Sequence, residues 1–190
     1  MRLDRKKLAF LAAWSICAAG RAYPQNAIDR LQPLVETSAQ RLVIAEQVAL
    51  AKWESGTPVE DVPREAQVIV SAIKAGESRG LDPAAVSNFF RAQIEANKLV
   101  QYSLLAEWRR SGQAPDHTPV NLAETIRPEL DQLETALIAE LAETAGIRAS
   151  PSCRTEVAKA VGKYVSTYKN HFTPLRAIAL DRAMAASCTS

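Results

Sequence analysis

Phe90, Ile94, Asn97, Gln101, Leu104 and Trp108 follow one another at intervals of 4-3-4-3-4, which is one continuous stripe along an α-helix. Helical reading extends over most of the chain. Ala, Leu, Glu, Gln and Arg are abundant, Gly and Pro fall mostly at boundaries, and no alternating Val/Ile/Thr run predicts a strand. The pattern predicts a first long helix from about Ala27 to Glu54, stopped at Ser55-Gly56-Thr57-Pro58. A second starts near Pro63, where a first-turn proline is tolerated, and ends near Gly80. Asp82-Pro83 reads as a cap and first-turn proline for a third helix reaching about Arg110. After a polar loop over 111–119, a fourth helix is expected, with Thr125 as cap, Pro128 in its first turn and an end at Gly146. Two more fit 153–169 and 174–186, the last opened by Thr173-Pro174. With no internal repeat, the expected fold is all-α, one domain of six helices.

The informative positions are polar residues standing where core residues belong. Asn97 and Gln101 interrupt the third-helix stripe at i and i+4, side by side on its buried face. An amide buried without a partner costs about 1–3 kcal/mol, so a core that takes two of them has a use for them. That use is either a polar site or a structural pair that fixes helix register. In the first helix Arg41, Ala45, Val48 and Lys52 fall at i, i+4, i+7 and i+11, placing both cations on one face among small apolar residues, with Leu34 and Ser38 upstream. These side chains either snorkel to solvent or point into a cleft that needs positive charge. Arg64 and Arg127, in the first turns of the second and fourth helices, read singly as solvated charges. Together, four cations and two amides suit a small dianion held among helices. Only two histidines, His117 and His171, are present, and they stand apart in sequence. No Cys/His metal spacing, Ser/His/Asp set or glycine-rich phosphate loop can be picked out, so neither metal nor cofactor is expected.

The N-terminus changes the charge argument. Arg2, Arg5, Lys6 and Lys7 precede an apolar stretch of 12 residues, Leu8 to Ala19, and Gly20-Arg21-Ala22 offers small residues for a signal peptidase. Twelve residues are too few to span a bilayer, so residues 1–22 read as a cleaved secretory signal and 23–190 as the helical domain. Cleavage is expected between Ala22 and Tyr23. Trp14 and Ile16 argue against lipidation at Cys17. Removing five basic residues and Asp4 from the 23 Lys and Arg and 21 Asp and Glu leaves 18 against 20, net −2. Nothing global then recommends nucleic acid or anionic lipid as a partner. Cys153 and Cys188 remain as a pair in an oxidising compartment, either bridged or as two buried thiols.

The stretches Ser38-Ala-Gln-Arg41-Leu, Val48-Ala-Leu-Ala-Lys52-Trp53 and Glu60-Asp-Val-Pro-Arg64-Glu65 resemble the exported subclass of AroQ-type chorismate mutases. So do Gln93-Ile-Glu-Ala-Asn97-Lys98, Gln101-Tyr102 and Trp108, the Arg127-Pro-Glu-Leu-Asp-Gln-Leu run, and Ser150-Pro-Ser-Cys153 with the late Cys188. The combination is specific through its order and the 11- and 12-residue steps from Arg41 to Lys52 to Arg64. The resemblance implies a helical bundle that rearranges chorismate to prephenate without a cofactor, exported to the periplasm or beyond, as a homodimer with each site inside one chain. It implies that Arg41 and Arg127 clamp the substrate carboxylates, that Lys52 and Gln101 face the ether oxygen, and that Arg64 assists binding. Glu65 is implied near the ring hydroxyl, Asn97 as a further hydrogen-bond donor, and Cys153–Cys188 as the subclass disulfide. One departure stands out: a glutamine one turn after the second-helix arginine falls at Val68 here, leaving Gln67 or Glu65 as substitutes.

The implied chemistry suits these residue types. A unimolecular rearrangement needs its substrate held in a reactive shape and its growing negative charge met by preorganised donors. Arginine forks match carboxylates. Because an amide donates at any pH, Gln101 predicts activity that varies little between about pH 5 and 8. Two other readings stand beside this one: an exported binding or scaffold protein whose arginines point outward, and pyruvate elimination from isochorismate on the same fold.

Overall fold

The computed structural model describes residues 26–119, 121–170 and 172–189; the proposed signal segment with Cys17, and His171, lie outside them. Among the described residues there are seven α-helices and one π-helical turn, and no strand. The helices are α1 (Ala27–Ser55), α2 (Val62–Glu77), α3 (Pro83–Ser111), α4 (Arg127–Glu143), α5 (Ala145–Arg148), α6 (Cys153–Thr167) and α7 (Pro174–Met184). None is long and apolar enough to cross a membrane. The count exceeds the expected six because the fourth segment breaks at Thr144. The four-residue α5 then carries Gly146, a residue expected from the sequence to end a helix.

Local chemistry accounts for most boundaries. Asn26 caps α1 through the Ile28 amide, and Gly56, at φ 67°, takes the left-handed conformation that ends it. The Asp61 carboxylate accepts from the Arg64 amide at 3.2 Å while Glu65 accepts from the Asp61 amide at 3.3 Å, a reciprocal cap for α2. Asp82 and Thr173 cap α3 and α7, each ahead of a proline. Thr125 is not the cap of the fourth segment. That role falls to Asn121, whose side chain accepts from the amides of Ala123 and Glu124. The π-helical turn Leu122–Ile126 then feeds directly into α4.

The two longest helices, α1 and α3, pack on each other and carry the rest: α2 and α7 lie against α3, and α4, α6 and α7 against α1. The main core joins Leu31, Leu34 and Leu42 of α1 to Phe89 and Phe90 of α3 and Leu180 of α7. Gln93 is buried inside this core, donating to the Ser38 hydroxyl at 2.9 Å and the Ala183 carbonyl at 3.3 Å, so this amide ties α3 to both α1 and the end of α7. Two smaller apolar clusters sit farther along α1. One packs Ala49, Leu105 and Trp108 under Val59 of the α1–α2 loop, with Trp53 edge-on to Trp108. The other packs Ile44 and Val48 against Ile126 of the π-helical turn. They hold that loop and that turn on either side of the polar stretch of α1, which leaves a cleft between them.

Cys153 and Cys188 form a disulfide across 35 residues, joining the start of α6 to the chain beyond α7. Buried Arg148 secures the same end, donating to the carbonyls of Leu141 at 3.0 Å and Ser187 at 2.6 Å.

Candidate active site

The cleft opens to solvent and is walled by α1, α2, α3, the π-helical turn and α4. Arg41, Lys52, Arg64, Asn97, Gln101 and Arg127 all line it, and so does Glu65. Each element contributes through its period. The face of α1 that carries Arg41, Val48 and Lys52 turns into the cleft, as does the Ile94–Asn97–Gln101 portion of the α3 stripe.

Arg41 is 5 % exposed, which rules out the snorkelling alternative. One guanidinium nitrogen donates to the Leu130 carbonyl at 3.3 Å, and Nε is buried with no hydrogen-bond partner. Burial lowers its pKa to about 10; Glu134 and Asp131 oppose that shift, and Arg64 adds to it. Lys52 is half-buried and donates to the Val59 carbonyl of the α1–α2 loop. Desolvation pulls it below the ordinary lysine range, against Asp61 and Glu65 and with help from Lys98. Gln101 is 4 % exposed. Its Nε2 donates to Asn97 Oδ1 at 2.6 Å, and Asn97 Nδ2 donates to the Arg41 carbonyl at 3.0 Å. Gln101 Oε1 is buried without a partner, an unfilled acceptor at the cleft wall. With Gln93 holding the core, the Asn97–Gln101 pair faces the cleft as well as bracing α3 on α1.

Arg64 departs from the solvated charge it resembles in isolation, whereas Arg127 keeps an exposed side chain. Arg64 reaches Asp131 of α4 at 3.0 Å, and Arg127 lines the open side of the cleft. Glu65 is held at 3.3 Å by Lys98, which also meets Glu95 at 2.7 Å. Val68 lines the cleft where the resemblance leads one to look for an amide, whereas Gln67 is exposed and lies outside it. His117 sits beside Glu54, away from the cleft.

Sequence reasoning missed four further charged lining residues: Asp61, Lys98, Asp131 and Glu134. The signal was present for two of them. Arg127, Asp131 and Glu134 stand at i, i+4 and i+7, one face of α4, and only Arg127 was singled out. Among the described residues no three His, Cys, Asp or Glu side chains group so as to hold a metal ion. No Ser, Thr, Cys or His is among the described residues that line the cleft. Fold and site together define a helical bundle with a cleft of five basic and four acidic side chains, completed by two neutral amides.

The comparisons with known proteins agree with that class. Residues 26–102 match the family "Chorismate mutase type II". The chain is 33% identical over 182 residues to the secreted chorismate mutase of Mycolicibacterium smegmatis, covering 94% of this chain and 99% of that one. Among solved structures it is similar to the chorismate mutase from Burkholderia phymatum (43% identity, TM-score 0.82, 86% of this chain and 99% of that one). The enzyme from Burkholderia thailandensis is also similar (35% identity, TM-score 0.79, 84% and 99%). The chain belongs to the chorismate mutase family, and as such is an isomerase.

Proposed function

We propose that this cleft rearranges chorismate to prephenate, with Arg41 and Arg127 gripping the two carboxylates and Lys52 and Gln101 donating to the ether oxygen as the C–O bond lengthens. The observation that carries the reading is the convergence of Arg41, Lys52, Arg64, Gln101 and Arg127 on one cleft, where a scaffold protein would leave its arginines outside. Rate enhancement then comes from holding the substrate side chain over its ring and from donors already aimed at the developing charge. Gln101 has a second N–H beyond the one given to Asn97, and that one serves the ether oxygen. Arg64 adds positive field from its pair with Asp131. Asn97 acts by orienting Gln101, and Glu65 is the group nearest in kind to a partner for the ring hydroxyl.

Export belongs to the same reading. The basic and apolar N-terminal pattern and the relatives named as secreted support removal of residues 1–22, with the helical domain acting in the periplasm or outside the cell. The homodimer carried by the resemblance is read directly by ultracentrifugation of residues 23–190. The activity is tested on that same chain by following the loss of chorismate ultraviolet absorbance without added metal, beside Lys52→Ala and Arg41→Ala. Turnover to prephenate that both substitutions abolish supports the assignment. Release of pyruvate from isochorismate in place of rearrangement reassigns the reaction, and a folded, oxidised chain that turns over neither substrate overturns it.

A further inference from the structure

Four carboxylates line the cleft, and three have a partner that explains them. Asp61 caps α2, Glu65 pairs with Lys98, and Asp131 pairs with Arg64. Glu134, almost one turn beyond Asp131 on α4, is 7 % exposed and makes no ion pair among the described residues. Arg41 faces it from α1, Arg64 and the Ser71 hydroxyl from α2, and Asp131 from its own helix. Arg127 lines the same cleft from the first turn of α4. Burial pushes the Glu134 carboxyl above the ordinary carboxylate range and Asp131 adds to this, while Ser71, Arg41 and Arg64 act the other way.

Charge balance in the cleft sets Glu134 apart from the other three. Five basic side chains face four carboxylates there, so fully ionised walls carry one positive charge. A bound dianion would then leave one negative charge in excess, and water screens it least at the buried end of the cleft, where Arg41 and Glu134 lie. A single proton removes that excess, and the carboxyl that accepts it with least loss is the buried one without an ion pair. We propose that Glu134 takes up a proton as the substrate dianion binds, so that substrate affinity falls as pH rises. Protonated, it no longer competes for the charge of Arg41, whose Nε lacks a partner and can turn to the substrate carboxylate. The inference rests on chorismate being the substrate. It separates two steps: the saturated rate, governed by the Gln101 amide, stays flat with pH, and KM does not.

Linkage gives the sign: the proton-bound form binds the dianion more tightly, so KM climbs with pH, approaching about tenfold per unit where one full proton is taken up. Chorismate kinetics on residues 23–190 from about pH 4.5 to 8 stay above the ordinary range of the substrate's own carboxylates. In wild type KM is expected to rise across that range. Glu134→Gln, neutral at every pH, is expected to hold a flat KM near the wild-type acid value. Ser71→Ala removes a hydroxyl that favours the ionised carboxylate, without touching the core, and is expected to move the rise to higher pH. A flat wild-type KM, a Glu134→Gln profile that tracks wild type, or an unshifted Ser71→Ala profile overturns the proposal while leaving the mutase reading intact. Chorismate that is not consumed at any pH overturns the mutase reading, and this proposal with it.

Discussion

Gln101 donates to Asn97 Oδ1 across one helical turn at 2.6 Å, and the direction of that bond is dictated from outside the pair. Asn97 must turn its nitrogen to the Arg41 carbonyl, 3.0 Å away, so its oxygen is what faces Gln101. A residue at 101 that can only accept would set two oxygens against each other.

Gln101→Glu is therefore expected to work only as the protonated acid. Its kcat should rise toward acid and fall by about tenfold per pH unit above the titration of the new carboxyl, while wild-type kcat stays level between about pH 5 and 8. Superimposable kcat profiles for the two proteins remove the donor role assigned to Gln101.

Lys52→Ala is expected to cost roughly 10²–10³-fold or more in kcat, the scale on which single preorganised donors act. Arg41→Ala should cost at least about 30-fold in kcat/KM, given about 2 kcal/mol for a hydrogen bond to a charged group. Because burial lowers the Lys52 pKa, its charge is lost at a lower pH than an ordinary lysine's. The alkaline fall in kcat should accordingly begin below the usual lysine range. An alkaline limb at or above that range detaches Lys52 from the reacting oxygen.

Gly76 of α2 packs against Val86 of α3: a Cβ there would sit 2.8 Å from Val86 Cγ2. Gly76→Ala is expected to lower unfolding free energy by about 1–3 kcal/mol despite the gain in helix propensity. Adding Val86→Ala should recover about 1 kcal/mol relative to the sum of the single changes. Strict additivity in urea unfolding shows that the contact is not tight.

Reducing the Cys153–Cys188 bridge, or replacing both cysteines by serine, should cost roughly 3–4 kcal/mol by the chain-entropy argument. The cleft is built from α1 to α4 and the bridge lies at α6 and α7. At a temperature where the variant stays folded, kcat/KM should thus change by less than about twofold. A large loss of activity in a folded variant means that this end of the bundle shapes the cleft.

The sequence alone carried the helical class, the ends of the long helices and the central residues of the cleft. Helical period, capping residues and the glycine at 56 act within a few residues of themselves, so they can be read without knowing what packs on what. Arg41 with Lys52, and Asn97 with Gln101, were conspicuous for the same reason: each pair shares one face of one helix with apolar neighbours. The resemblance then joined the pairs into one site, which spacing within single helices could not do.

Tertiary structure decided what depends on neighbours distant in the chain. Gln93 and Asn97 are both amides on α3, and only the packing of Ser38 and Ala183 around the first keeps it in the core while the second also lines the cleft. Arg64 reads as a solvated charge until α4 brings Asp131 to it, 67 residues away. The Asn121 cap and the π-helical turn replaced the expected Thr125 start because Ile126 is drawn into contact with Ile44 and Val48 of α1, burial that local propensity does not contain. Glu134 carries no mark in the sequence beyond its place on a face of α4. Its meaning comes from being sealed beside Arg41, where desolvation and charge act over distances that only the fold sets.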